Sequence, residues 1–63
     1  MKNRIRIARV EAGLTQEELA RRTGVSRQAI HSIENDKYVP SVALALRIAR
    51  ALGKSVEELF LME

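Results

Sequence analysis

The stretch L-T-Q-E-E-L-A-R-R-T-G-V-S-R-Q-A-I-H-S-I-E-N, residues 14 to 35, decides how this chain folds. Thr15 with Glu18 three residues on is a capping box, each side chain satisfying a free backbone N–H of the other. Leu14 before the cap and Leu19 after it form the matching hydrophobic staple. Together they predict a helix over about Gln16–Thr23, stopped by Gly24. The pattern then repeats. Ser26 caps, Val25 pairs with Ile30, and Ala29, Ile30 and Ile33 make the inward face of a helix from Arg27 to about Asn35. Only Val25 and Ser26 separate that helix from Gly24. Two short helices meeting across so tight a turn have the layout of a helix-turn-helix unit, spanning about residues 16–35.

The flanking segments follow the same local logic. A first helix is expected from about Asn3 to Ala12, with Ile5, Ala8 and Ala12 inward, Arg9 beside them and Gly13 as its stop. Ile7 and Val10 point elsewhere. Beyond Pro40, Ser41 caps a fourth helix whose packing set is Val42, Ala45, Ile48, Ala49 and Leu52. It is the most apolar segment, expected to be the least exposed, and Gly53 ends it. Ser55 and Glu58 form a second capping box, starting a final helix with Val56, Leu59 and Phe60 turned inward. Periods of three to four residues dominate, and no segment reads as a strand. The expected fold is all-α, five helices forming one compact domain over residues 1–63.

A chain of 63 residues buries only about 60% of its unfolded surface, so its core is thin. With no cysteine there is no disulfide and no thiolate metal site. The single histidine, His31, cannot build a metal site, and no cofactor is expected. No apolar run approaches the roughly 18–20 residues that cross a bilayer. The basic start M-K-N-R is not followed by a signal-type apolar block, because Arg6 and Arg9 interrupt it; the expected location is the cytoplasm. A net charge of +3 favours an anionic partner without identifying it. Glu17/Glu18 and Glu57/Glu58 are paired only in sequence, and Glu18 and Glu58 already have capping roles. The glycines stand singly at helix ends and cradle no phosphate. No enzyme is expected.

Arg27, Gln28, His31 and Ser32 lie at i, i+1, i+4 and i+5, one outward face that Asn35 extends by a turn. Arginine can fork onto guanine O6 and N7, and glutamine can match adenine N6 and N7. Arg27 and Gln28 sit in the first turn, the part of a recognition helix that enters the major groove; an arginine there could instead hold a phosphate. A solvated helix face is polar too, so the composition alone serves either reading. His31 suits a base edge, a phosphate or solvent. Gln16 opens the second helix, where its side chain and the free N–H groups nearby can meet a phosphate oxygen. Lys37 and Tyr38 can reach the DNA backbone as cation and hydroxyl, although the tyrosine ring can equally pack on its loop.

With these residues in place, the chain resembles the lambda-repressor-like helix-turn-helix family, in particular small transcriptional regulators of the Cro/C1 and Xre type. The matching pieces are R-V-E-A-G-L-T-Q-E-E-L-A at 9–20, G-V-S-R-Q-A-I-H-S-I-E-N at 24–35, K-Y-V-P-S at 37–41, L-R-I-A-R-A-L-G at 46–53 and S-V-E-E-L-F at 55–60. They cover nearly the whole chain in family order and spacing. The resemblance implies that Arg27, Gln28, His31 and Ser32 face bases. It sets Gln16, Asn35, Lys37 and Tyr38 against the DNA backbone and pairs Arg9 with Glu34 in a structural ion pair between the first and third helices. Asp36 departs from the pattern, which commonly has glycine there. Aspartate tolerates left-handed φ less well than glycine and brings a negative charge near the expected phosphate path.

The function these residues imply is sequence-specific binding of double-stranded DNA by a transcriptional repressor acting as a homodimer. With no second domain in view, the dimer contact is expected on this domain's own surface. Leu61 and Met62 are the first candidates, and Ile7 with Val10 a second apolar spot. Two alternatives stand beside this reading: an antitoxin that adds a toxin partner to the DNA-binding surface, and a protein-interaction module of a transcription complex.

Overall fold

The computed structural model describes residues 2–61. Chain order is β1 (Lys2–Asn3), α1 (Ile5–Glu11), α2 (Gln16–Thr23), α3 (Arg27–Glu34), α4 (Val42–Leu52), α5 (Val56–Leu59) and β2 (Phe60–Leu61). Every cap from α2 onward is the one its local sequence specifies. Thr15 and Ser55 close complete capping boxes with Glu18 and Glu58, while Ser26 and Ser41 accept the N–H of Ala29 and Leu44. Gly24 takes φ 74°, and the Val25 N–H returns to Ala20 O at 3.1 Å. This left-handed stop, which a side chain would strain, turns the chain sharply from α2 into α3.

The core draws on every helix. Ile5, Leu19, Ile30, Ile33, Ile48 and Leu59 are essentially inaccessible, and α2 packs against both α3 and α4. Thr23 is also buried, its hydroxyl donating to Leu19 O at 2.8 Å and making a second contact with Ala20 O. From α4, Arg47 Nη1 reaches Thr23 O at 3.4 Å and ties the end of α2 to that helix.

Several expectations are corrected here. The all-α, five-helix architecture itself stands, with a minor strand pair added to it: β1 pairs antiparallel with β2, Lys2 opposite Leu61 and Asn3 opposite Phe60. Two-residue strands carry no periodicity to read, because they form only where tertiary folding brings distant segments together. The first helix consequently begins at Ile5 rather than Asn3, and its start is held from outside. Asn3 Oδ1 accepts the Ile5 N–H at 3.1 Å, and the Arg4 N–H donates to Leu59 O at 2.7 Å. Ala12 is exposed, since the helix ends before it. Phe60 is buried as expected, but from a strand. On α4 the core takes Leu44, whereas Val42 is 78% exposed. Ala45, Ile48, Ala49 and Leu52 face inward as expected, so only the first position of the set differs, and the most apolar helix starts on an exposed valine.

Candidate nucleic-acid interface

Ile30 and Ile33 pin α3 to the core from below, which leaves the opposite face outward. Arg27, Gln28 and His31 are exposed on it and Ser32 is half-buried. Two shallow depressions flank the helix. One gathers Gln28, Ser32, Lys37 and Tyr38; the other gathers Arg27 with Arg9, Thr15, Gln16 and Glu17. The first turn of α2 and the segment after α3 thus stand on either side of one protruding rod. Gln16 Nε2 lies 3.5 Å from His31 Nδ1, so the two helices meet at the surface as well as in the core.

Beneath this face lies Glu34, the one charged residue buried among those described. Its carboxylate accepts Arg9 Nε at 2.7 Å and Gln16 Nε2 at 3.1 Å, with Arg6 Nε further off at 3.4 Å. The Glu34 side chain is fully covered and that of Arg9 is 13% exposed. Arg9 Nη1 also donates to Leu14 O at 2.8 Å, which fixes the guanidinium between α1 and the approach to α2. Burial pushes the Glu34 carboxyl upward, but hydrogen bonds from Arg9 and Gln16, the Arg9 charge and Arg6 outweigh it. The group is held below its ordinary value and stays ionised.

A carboxylate only accepts hydrogen bonds. Gln16 must therefore turn its amide nitrogen toward Glu34, with that nitrogen also near His31 Nδ1, which leaves its carbonyl oxygen for the exterior.

Past α3 the backbone reverses at Asp36, which takes φ 60°. Asn3 supports that turn: its amide donates to Ile33 O at 2.8 Å and to Asp36 Oδ1 at 2.9 Å. The Asp36 charge is thus partly engaged by a neutral donor from the far end of the chain. Asn35 is exposed, its amide donating to His31 O at 2.8 Å and its carbonyl accepting Arg6 Nη2 at 3.2 Å. Lys37 is exposed and Tyr38 half-exposed. Leu61 is partly covered within the strand pair, and Met62 lies outside the described residues.

Sequence reasoning missed Arg6 and Asn3. Arg6 precedes Arg9 by one helical turn, a spacing that could have flagged both arginines as facing α3. No local signal connects Asn3 with Asp36. Among the described residues no group of three His, Cys, Asp or Glu side chains could hold a metal ion, and no helix is long and apolar enough to cross a membrane.

Comparison with known proteins gives a consistent picture. A family model described as helix-turn-helix matches residues 5–59. An HTH-type transcriptional regulator of Methanothermobacter thermautotrophicus is 53% identical over 64 residues, spanning 100% of this chain and 93% of its own. One from Methanocaldococcus jannaschii is 48% identical over 63 residues, spanning 100% and 96%. Among solved structures, the restriction-modification controller protein C.AhdI from Aeromonas hydrophila superimposes with a TM-score of 0.84 at 35% identity, covering 90% of this chain and 86% of its own.

Proposed function

The chain belongs to the helix-turn-helix family of DNA-binding transcriptional regulators, and on that premise we propose that it is a sequence-specific repressor acting as a homodimer. Residues 1–63 act as one DNA-binding unit in the cytoplasm. The observation that carries this reading is the exposed polar face of α3, anchored by Ile30 and Ile33 and flanked on both sides by side chains able to reach phosphate.

Arg27 and Gln28, at the start of the helix, enter the major groove first and read base edges; His31 and Ser32 follow one turn later. Gln16 approaches the backbone from one side, Asn35, Lys37 and Tyr38 from the other. These contacts set register and make binding salt-dependent, while the base contacts select sequence. Repression follows from occupancy: a body of 29 × 20 × 19 Å on its operator occludes the DNA beneath it.

Selection of bound sites from random duplexes tests the proposal. The expected product is a palindrome with half-sites one helical turn, about 34 Å, apart. Recovery of no preferred sequence would sink the sequence-specific reading. A preferred site without two-fold symmetry would remove the homodimer.

A further inference from the structure

His31 stands exposed in the middle of the outward face of α3, with Arg27 one turn before it and Asn35 one turn after. A neutral imidazole carries its hydrogen on one ring nitrogen and a lone pair on the other. It therefore donates at one end and accepts at the other, and which end does which decides what it can recognise. The neighbours of the ring settle the choice.

Two side-chain amides meet it. Gln16 Nε2 lies 3.5 Å from Nδ1, and Asn35 Nδ2 lies 3.5 Å from Nδ1 and 3.4 Å from Nε2. The nitrogen and oxygen of an amide are alike in shape, so their orientation follows from the partners they find. Here both partners are charged. The Glu34 carboxylate only accepts, and at 3.1 Å it holds the Gln16 nitrogen inward. The Arg6 guanidinium only donates, and at 3.2 Å it takes the Asn35 oxygen, while the Asn35 nitrogen donates to His31 O at 2.8 Å. Both amide oxygens are thus engaged elsewhere or turned outward, and both nitrogens face the ring. Asn35 is nearly equidistant from the two ring nitrogens and favours neither. Gln16 offers its N–H to Nδ1 alone.

We propose that Glu34, acting through Gln16, sets the neutral His31 ring as the Nε2–H tautomer, so that His31 reads a base edge as a hydrogen-bond donor and selects guanine. Gln16 and Glu34 are then positioning residues for specificity. This rests on the DNA-reading role proposed for α3 and deepens it by naming the base. A hydrogen on Nδ1 would meet the Gln16 N–H, donor against donor, whereas a lone pair there receives it. At 3.5 Å the contact is long, so it biases the equilibrium without locking it. Nε2, the ring nitrogen farther from the backbone, then carries the hydrogen. In the major groove guanine presents two acceptors, O6 and N7, side by side. Adenine sets a donor beside its N7, thymine a methyl beside its O4, and cytosine shows only a donor. An outward N–H suits guanine best, and the opposite tautomer would reverse that order.

The tautomer is read without DNA. His31 is the sole histidine, so long-range proton–nitrogen correlation spectra of the isotope-labelled whole chain report it directly. At about pH 9, where an ordinary imidazole is neutral, the hydrogen is expected on Nε2 and the lone pair on Nδ1. Gln16→Ala removes the donor at Nδ1 and should raise the Nδ1–H fraction about threefold. The parent spectrum needs no variant, so the test survives a Gln16→Ala chain that does not fold. A parent ring protonated mainly on Nδ1 would overturn the proposal. So would a folded Gln16→Ala chain whose ring spectrum matches the parent's, since Gln16 would then position nothing.

Binding supplies the second arm. Sites selected from random duplexes by the parent and by His31→Ala should differ at one position of the half-site, guanine in the parent and no preference in the variant. A guanine analogue with C–H in place of N7 at that position should weaken the parent about fivefold and leave His31→Ala unchanged. An equal loss on every duplex for His31→Ala would mark a phosphate contact and overturn the base reading. A lost preference for an A·T pair would overturn the choice of guanine. Failure of the parent to bind any duplex would undo the regulator reading, while the DNA-free spectrum still judged the tautomer.

Discussion

Gln16 donates to the Glu34 carboxylate across 3.1 Å, which ties a side chain on the rim of the interface to the buried charge beneath it. The same carboxylate holds Arg9 at 2.7 Å. One acidic residue therefore joins α1, α2 and α3 and also sets which end of the Gln16 amide faces outward. Stability and the geometry of the proposed DNA-facing surface share this residue, and the predictions separate the two.

Arg9→Ala should destabilise the fold by about 3 kcal/mol, because it leaves a covered carboxylate without its principal partner. A domain of 63 residues has roughly 3–9 kcal/mol in total, so the loss removes a large share. Arg9→Lys should fall between the two, since an ammonium cannot hold both Glu34 and Leu14 O in the same fork geometry. Denaturant midpoints measure both; an Arg9→Ala midpoint equal to the parent's would show that the pair adds nothing.

Acid should destabilise the protein through its carboxylates. Glu34 lies below its ordinary value of 4.5, and so do Glu18 and Glu58, lowered chiefly by backbone hydrogen bonds at Thr15 and Ser55. When the folded value is lower, the unfolded chain binds the proton first as pH falls. The stabilisation is therefore complete above the unfolded value of 4.5 and is lost as pH falls through the lower folded value. Glu34→Gln should flatten part of that decline. Thermal melts from about pH 7 to about pH 3 read the slope, and an unchanged slope in the variant would remove Glu34 as a contributor.

Base-reading and phosphate contacts should separate on two axes. Arg27→Ala and Gln28→Ala should each weaken operator binding by about 1–3 kcal/mol while changing affinity for random duplex much less. Lys37→Ala should weaken both equally and lower the salt slope by about one. Titrations at several salt concentrations distinguish them. Equal losses on operator and random DNA for Gln28→Ala would take that residue out of base reading.

Asp36→Asn should strengthen binding to any duplex by about threefold, by removing a negative charge near the phosphate path. Asparagine tolerates left-handed φ and keeps an acceptor for Asn3, so stability should stay within about 0.5 kcal/mol of the parent. Unchanged affinity at low salt would show that Asp36 lies away from the DNA.

What was legible in the sequence was what forms over three or four residues. Thr15 with Glu18, Ser26 with Ala29, and Ser55 with Glu58 close hydrogen bonds within a single turn, so their partners are set by spacing alone. The outward face of α3 followed from the same periodicity once Ile30 and Ile33 were recognised as its anchors. The resemblance paired Arg9 with Glu34, a contact between helices that spacing by itself would have left as two surface charges.

Local sequence therefore determined the helices, their stops and the side of α3 that faces outward, because those depend on backbone geometry and nearby caps. Only the tertiary structure decided that Lys2–Asn3 pairs with Phe60–Leu61, that Asn3 braces Asp36, and that Glu34 holds Gln16. It also decided that at the start of α4 the core takes Leu44 and leaves Val42 in solvent. Each of these depends on where another helix or chain segment stands, and a thin core selects among apolar residues by fit rather than by hydrophobicity alone.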